Sequence, residues 1–450
     1  MNFWTSVRRE MRPNLTLSLP LIAGQLNHML VGLADTLMIG QLGTVPLAAA
    51  AFSNTILYLP MMVGIGMAMA VSVLVSQARG AKEPATARAA LRHGLFVSLF
   101  LGIGIMALGW ITQPLWFLFR QDEAVVEAAP AYFHLVAASL LPMIAATSVK
   151  SHSDAMNRPW PAFWVMSGGV LLNIVLNWLL IYGNLGAPQL GLEGAGLATL
   201  LARMTTLVGM IMLCCQLPSF QEWVPRRWFR KPDWTAVREL LGIGWPMSIQ
   251  MLAETGAFVI GTMVVGSLGA AALASHQVAI QCAAAVFMVP LGISQALTVR
   301  IGEAVGANDR TRFRPIAVSG WFLVILCMSV SATSFLLYHR AIASAFLSEP
   351  DTLATAAGLL LIAAAFQLGD GLQIASAGAL RGLSDVAIPA ALVICVYWGV
   401  ALPLGWWLTH PVGMGAAGMW WGFTVGLSLT ALVLSVRLWR KTGPSDQLTN

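Results

Sequence analysis

The sequence LLGIGWPMSIQMLAETGAFVIGTMVVG runs from Leu240 to Gly266 and has a single formal charge, Glu254, near its midpoint. An apolar run of about 18 or more residues predicts a transmembrane helix, because about 20 residues at 1.5 Å each cross the hydrocarbon core. A carboxylate at mid-depth costs roughly 2.5–3.5 kcal/mol on insertion scales, so it requires a function or a specific partner. This stretch predicts a membrane protein with a functional acid inside one span.

The composition of the whole chain also indicates a membrane protein. Of its 450 residues, 58% are hydrophobic and 10% are charged, against about 25% charged in soluble domains. Twelve apolar segments can be counted, at approximately 14–40, 51–77, 91–118, 125–150, 160–183, 192–216, 237–266, 276–301, 315–339, 352–377, 387–409 and 414–438. The sequence therefore predicts an all-α integral membrane protein with 12 transmembrane helices.

Motifs of other functional classes are missing from the sequence. No H-E-x-x-H, Walker, G-x-S-x-G or dinucleotide-binding pattern falls on a suitable element, so we predict neither an enzyme nor a cofactor. ATP-driven transport would need a nucleotide-binding domain, and no polar segment is long enough to form one. The net charge of +6 arises from loops and does not indicate a nucleic-acid partner.

Lysine and arginine are distributed unequally between the two faces of the predicted bundle. Of the 25, 22 lie in or beside segments assigned to the face of both termini, among them Arg381. Because cytoplasmic loops carry the excess of basic residues, both termini are predicted to be cytoplasmic. We expect a multi-pass protein of the bacterial inner membrane.

An internal repeat relates the two halves of the chain. Residues 19–81 align without a gap to residues 245–307 at an offset of 226, with 16 identities in 63 positions. The identities include Pro20/Pro246, Gly40/Gly266, Gly43/Gly269 and Gly66/Gly292. Six helices in each half give the halves one orientation, so they are predicted to be related by a pseudo-two-fold axis along the membrane normal. We predict an N-lobe at 1–220, a cytoplasmic linker at 221–236 and a C-lobe at 237–450, with a central cleft for a solute.

The acidic residues do not follow this repeat. Glu254 aligns with His28, and Asp35 aligns with Gly261. Residues that differ between the halves are candidates for function, and we predict that Glu254 and Asp370 bind a coupling cation, as Na⁺ ligands or as proton acceptors. The alternatives are a helix–helix hydrogen bond for Glu254 and a structural kink for Asp370. Gly369 and Gly371 allow close helix approach or local unwinding, which would add backbone carbonyls to the site.

Asp35 is the third predicted cation-binding acid, and its alternative is a water-exposed interfacial carboxylate. Arg203 is interpreted as a structural partner of a carbonyl or carboxylate, and His276 as an interfacial side chain. Several amide and imidazole side chains in the predicted spans either line a cavity or bond neighbouring helices. They are Gln25, His28, Asn173, Asn177, Gln250, Gln277, Gln281 and Gln367, with Gln373 noted beside Asp370 for its three-residue spacing.

Four motifs resemble those of multidrug and toxic compound extrusion (MATE) transporters. They are LADTLMIGQLG at 33–43, LNIVLNWLLIYG at 172–183, LASHQVAIQ at 273–281 and ALRGLSDVAIP at 379–389. The combination of Glu254 with Asp370 is similar to the NorM branch, in which the resemblance implies that both acids bind the coupling cation. Some relatives have an aspartate where this chain has Asn177, which argues against a mechanism confined to the N-lobe.

The resemblance and the residues together predict an efflux antiporter. It would export organic cations or amphiphilic drugs in exchange for Na⁺ or H⁺ by alternating access, as a monomer surrounded by membrane lipids. The alternative is a flippase for a lipid-linked saccharide or another amphiphile. A phosphate-bearing substrate would favour a cleft lined by arginine or lysine, whereas Arg203 is the only basic residue deep in a predicted span.

Overall fold

The computed structural model describes residues 2–228 and 230–443, and its regular secondary structure in that part of the chain is entirely helical. The helices are α1 Phe3–Gly40, α2 Thr44–Gly80, α3 Pro84–Thr112, α4 Glu123–Ala155, α5 Pro159–Tyr182, α6 Gly191–Gln216, α7 Trp234–Gly266, α8 Ala270–Gly306, α9 Phe313–Ser344, α10 Pro350–Gly382, α11 Ala387–Val396, α12 Leu402–Thr409 and α13 Ala416–Lys441. Short 3₁₀ segments lie at Gln113–Phe119, Asn184–Gly186 and Arg310–Arg312, and a π-helical segment, Tyr397–Ala401, joins α11 to α12.

Twelve helical segments of the described residues are long and apolar enough to cross a membrane. The predicted fold class is therefore confirmed. The main difference in bounds is at α1, which begins at Phe3 rather than near residue 14. The residues before 14 carry three arginines and so lie outside the apolar run, although a helix can project beyond the hydrocarbon.

The backbone repeats at the same offset as the sequence. Gly43 has a φ of 116° and Gly269 a φ of 113°, and each precedes the second helix of its half. Non-glycine residues rarely adopt such a φ, which explains the glycine at both positions. Lys82 and Asn308, which are also related by the repeat offset, both turn the chain in the left-handed conformation after those helices. The two halves thus share turns as well as residues.

The described helices form two compact units, and the first compact unit spans Leu26–Ser248. Its core includes Phe133, Trp116 and Ile144. The beginning of α7 belongs to this unit, where the Ser248 hydroxyl donates to the backbone carbonyl of Val63, at 2.9 Å. Gly66 makes this approach of α2 to α7 possible, because a Cβ on Gly66 would lie 2.7 Å from the Cα of Ser248.

The second compact unit consists of the residues up to Gln25 and those from Ile249 onward. The beginning of α1 packs here against α8, where Leu17 and Leu21 contact Ala296 and Val299. Near this contact, a Cβ on Gly292 would lie 2.7 Å from the backbone nitrogen of Ile22. This contact is the repeat equivalent of the one between Gly66 and Ser248, since both residues are displaced by the repeat offset.

Polar contacts also hold the beginning of α1 in the second unit. The Asn14 amide donates to the Ile316 carbonyl at 3.1 Å and to the Ser319 hydroxyl at 2.7 Å. The buried Glu10 carboxylate accepts hydrogen bonds from Arg300 and Arg312. The predicted lobes at 1–220 and 237–450 describe the sequence repeat, and their role as separate domains stays a prediction.

Candidate cation site

Glu254 lies in the middle of α7, within the second unit, and is half-buried. Its Oε1 accepts a hydrogen bond from the Gln250 amide, one turn earlier, at 3.0 Å. The same oxygen accepts from the Gln373 amide of α10, at 3.2 Å. Two amide donors directed at one oxygen stabilise a carboxylate anion. The geometry leaves Oε2 without a hydrogen bond from the described residues.

Tyr397 determines how the Gln373 amide is oriented. Its hydroxyl donates to the Gln373 Oε1 at 3.1 Å, and both side chains are buried. A hydroxyl that donates to the amide oxygen requires the NH₂ group to point the other way, toward Glu254. Tyr397 also begins the π-helical segment, a feature often found at functional sites. In that segment the Trp398 indole donates to the carbonyl of Ala253, at 3.2 Å, and connects the segment to α7.

Asp370 lies on α10 close enough to Glu254 for the two negative charges to repel each other. No described residue donates a hydrogen bond to its carboxylate. One turn earlier, Gln367 is buried and neither end of its amide has a partner among the described residues. Buried polar groups are normally satisfied, so a site with unpaired oxygens is suited to a bound cation or water.

α10 is continuous through Asp370, so of the two roles predicted for the flanking glycines, close helix approach is the one that the structure supports. A Cβ on Gly369 would lie 3.1 Å from the backbone nitrogen of Ser428, and one on Gly371 would lie 2.7 Å from Val324. The backbone carbonyls around Asp370 remain within the helical ladder. Side-chain oxygens are thus the available ligands in this region.

Arg381 supplies a positive charge that acts on Glu254. From the sequence, Arg381 was assigned to the basic residues on the face of the termini, and the burial of its side chain was not predicted. Its guanidinium donates to the Ser294 hydroxyl at 2.8 Å and to the Ala377 carbonyl at 3.3 Å, rather than to a carboxylate. The group of Glu254, Asp370 and Arg381 carries a formal charge of −1 when both acids are ionised.

Asp35 lies in the first unit, where its Oδ1 accepts a hydrogen bond from the buried Asn177 amide at 2.6 Å. The second proton of that amide reaches the Asn173 Oδ1 at 3.3 Å, and Asn173 donates to the Thr199 hydroxyl at 3.4 Å. Asp35, Asn173 and Asn177, which were predicted separately, are therefore assembled into one hydrogen-bond network. The half-burial of Asp35 and its bond to Asn177 argue against a freely exposed carboxylate.

Arg203 is the cation whose charge acts on Asp35. Its guanidinium donates to the Ser139 hydroxyl at 2.7 Å, so its hydrogen-bond partner is a hydroxyl rather than a carbonyl or carboxylate. Asp35 and Arg203 together carry no net charge. This balance distinguishes the Asp35 network from the group around Glu254, which has one more acid than base.

The remaining predicted side chains lie outside both networks. Gln277 and Gln281 are exposed on the surface of α8, and His28 is exposed on α1. These three side chains and that of Gln25 make no hydrogen bond within the described residues. For Gln277 and Gln281, the structure gives no support to a helix–helix bond inside their unit.

His276 is fully buried, so its predicted interfacial position is wrong. Its Nδ1 accepts from the Trp420 indole at 3.1 Å, and its Nε2 lies 3.0 Å from the Thr262 hydroxyl. Because the indole only donates, Nδ1 is the unprotonated nitrogen of a neutral imidazole. Proximity to a helix end indicated an interface, whereas the indole of Trp420, on α13, packs against the His276 ring in the structure.

A MatE family model matches this chain twice, over residues 20–179 and 246–407. The chain belongs to the MatE family. The starts of the two matches are separated by the offset of the repeat. Membership of MatE makes the chain a multi-span membrane transporter and not an enzyme.

Relatives of this MatE protein match over nearly their whole length. The "Probable multidrug resistance protein NorM" of Rhizobium meliloti (strain 1021) is 34% identical over 447 residues, which cover 98% of this chain and 94% of the relative. The "Multidrug resistance protein NorM" of Burkholderia vietnamiensis is 34% identical over 443 residues, which cover 97% and 95%. The crystal structure of the eukaryotic MATE transporter AtDTX14 superposes with a TM-score of 0.87 at 18% identity and covers 97% of this chain and 98% of that one.

Sequence reasoning about this MatE chain did not include Gln373, Tyr397 or Arg381 in the site. Gln373 had a usable signal, because it lies three residues after Asp370 on one helix face. Tyr397 had no signal in the sequence, since it lies far from Glu254 along the chain and is connected to it through Gln373. The position of Arg381 at a span end concealed its burial.

Proposed function

We propose that this MatE protein is a secondary active efflux antiporter that exports organic cations or amphiphilic drugs in exchange for Na⁺ or H⁺. The names of the NorM relatives support a multidrug substrate range. The proposed location is a bacterial inner membrane with both termini in the cytoplasm, as the distribution of lysine and arginine indicates. Transport proceeds by alternating access between inward-facing and outward-facing states.

The single observation that carries the proposal is the charge imbalance around Glu254. Two acids, Glu254 and Asp370, are accompanied by one base, Arg381. Its guanidinium donates hydrogen bonds to a carbonyl and a hydroxyl and not to either acid. Uncompensated charge is costly away from water, so the group favours one added monovalent cation. Asp35 is compensated by Arg203 and lacks this requirement. Glu254 and Asp370 are therefore the proposed coupling site, with Asp35 in a supporting role.

A site that takes up one monovalent cation limits the energetics of export. Exchange of one such cation for one monovalent drug moves no net charge, so the membrane potential does not contribute. The driving force is then the concentration gradient of the coupling cation, about 1.4 kcal/mol for each tenfold difference. A second exchanged cation would add about 2.3 kcal/mol at 100 mV.

Dye efflux from proteoliposomes tests the proposed function. A Na⁺ gradient and a pH gradient are imposed separately, and a K⁺ diffusion potential is added or omitted. We expect one cation gradient to drive efflux of a monovalent cationic dye, with no effect of the potential. Efflux independent of both gradients would refute antiport.

Glu254→Gln is the decisive variant, because it removes the charge and keeps the size of the side chain. We expect folded protein in which efflux no longer responds to the gradient. Glu239→Gln is the matched control, since Glu239 is an exposed acid at the beginning of the same helix. Wild-type efflux by Glu254→Gln would show that the carboxylate is structural.

A further inference from the structure

A groove of about 700 Å³ lies on the surface of the second unit, between α11 and the end of α13. Its walls are the apolar side chains of Leu392, Leu432, Val433 and Val436. Leu432 is 60% exposed and Val436 is 43% exposed, so the groove is open to the outside of the unit. In a membrane protein, apolar side chains exposed on a spanning helix face lipid tails.

Basic side chains line one end of this groove. They belong to Arg437, Arg440 and Lys441, in the last turns of α13. Asp385 compensates one of these charges, because Arg437 binds it through two hydrogen bonds of 2.7 and 2.9 Å. The Nζ of Lys441 lies 3.5 Å from the same carboxylate. The cluster of these four residues therefore keeps a formal charge of +2.

Trp439 marks the depth of the basic end. It is 44% exposed and lies between the basic residues in sequence, and exposed tryptophans of spanning helices are enriched where the hydrocarbon meets the head groups. The groove thus runs from head-group level, at its basic end, into the hydrocarbon, along its apolar walls. A soluble anion would contact the basic end alone, and it would have no contact with the apolar walls.

We propose that this groove binds an anionic phospholipid of the leaflet on the side of the chain termini. The negatively charged phosphate of the head group lies against Arg440 and Lys441, and an acyl chain lies along Leu432 and Val436. Basic pockets between spanning helices bind acidic head groups in this way. This site is independent of the proposed antiport, because Glu254 and Asp370 take no part in it.

Thermal unfolding of the purified full chain in detergent tests the proposal. Phosphatidylglycerol, phosphatidylcholine or soluble glycerol phosphate is titrated, and the concentration that gives half of the maximal stabilisation is measured. We expect phosphatidylglycerol to stabilise the protein at a lower concentration than phosphatidylcholine. Glycerol phosphate should not stabilise it, because it has no acyl chain for the groove.

Two variants separate the groove from general charge attraction. The double variant R440Q/K441Q should raise the half-stabilising concentration of phosphatidylglycerol about 30-fold, the factor expected for two interfacial charges. The control R8Q/R9Q lowers the net charge equally, from +6 to +4, by changing two exposed arginines outside the groove. It should behave like the wild type.

A third variant, Val436→Trp, fills the groove and keeps every basic side chain. It should also weaken the effect of phosphatidylglycerol. The proposal is overturned if R440Q/K441Q and R8Q/R9Q respond alike, since the attraction would then be unspecific. It is also overturned if glycerol phosphate stabilises the protein as well as the lipid does, because the site would then be one for a soluble anion.

Discussion

Replacing Tyr397 with phenylalanine tests whether the orientation of the Gln373 amide controls cation binding at Glu254. The substitution removes one hydroxyl, whose hydrogen bond to the Gln373 Oε1 holds the amide NH₂ toward the carboxylate. Without it, the amide can rotate and present its oxygen to Glu254. An oxygen in that position favours a bound Na⁺ or a protonated carboxyl, whereas the NH₂ favours the anion free of cation.

The expected magnitude follows from one neutral hydrogen bond, which contributes about 1 kcal/mol. This corresponds to a factor of about five in an equilibrium constant. Tyr397→Phe should therefore lower the half-saturating concentration of the coupling cation about fivefold. The maximal rate of efflux should fall as well, since the more tightly bound cation is released more slowly.

The assay is dye efflux from proteoliposomes at increasing concentrations of the coupling cation. Tyr132→Phe is the matched control, because Tyr132 is an equally buried tyrosine near Asp35 in the first unit. If Tyr132→Phe changes the cation dependence and Tyr397→Phe does not, coupling belongs to Asp35 and the reasoning about Gln373 is refuted.

Two further predictions concern packing. Gly66→Ala should destabilise the protein by about 1–3 kcal/mol, because the new Cβ would meet the backbone of Ser248. Gly32→Ala is the control and should be neutral or stabilising, because its Cβ would have no atom within 4 Å. Thermal unfolding measures both effects. His276→Leu should lower the stability by about 1–3 kcal/mol, because it leaves the buried Trp420 indole without its hydrogen-bond acceptor. His276→Gln should restore part of the lost stability in the same assay. Equal stability of the two variants would contradict the role assigned to this hydrogen bond.

The sequence was sufficient for the number of spans because hydrophobicity and length act locally. It was also sufficient for the repeat, since Gly43 and Gly269 meet the same backbone requirement at the same register. The bounds of the two compact units could not be predicted from local sequence patterns. The beginning of α1 joins the second unit through Leu17 and Asn14, whose contacts come from the distant second half of the chain.

For the candidate site, the sequence identified the charges and missed part of their balance. Glu254 and Asp370 were conspicuous because each is an acid inside an apolar run. Arg381 was left out because a side chain of that length reaches inward from a span end, which linear position does not reveal. Its inclusion reduces the charge around Glu254 from −2 to −1. The number of cations predicted for the proposed site therefore depends on tertiary structure.

The most direct test of this account is the number of monovalent cations bound per chain, measured with radioactive Na⁺ and by proton release from the purified protein. We predict one bound cation for the wild type and for Asp35→Asn, and none for the double variant E254Q/D370N. Loss of the cation in Asp35→Asn together with its retention in E254Q/D370N would contradict the assignment of coupling to Glu254 and Asp370.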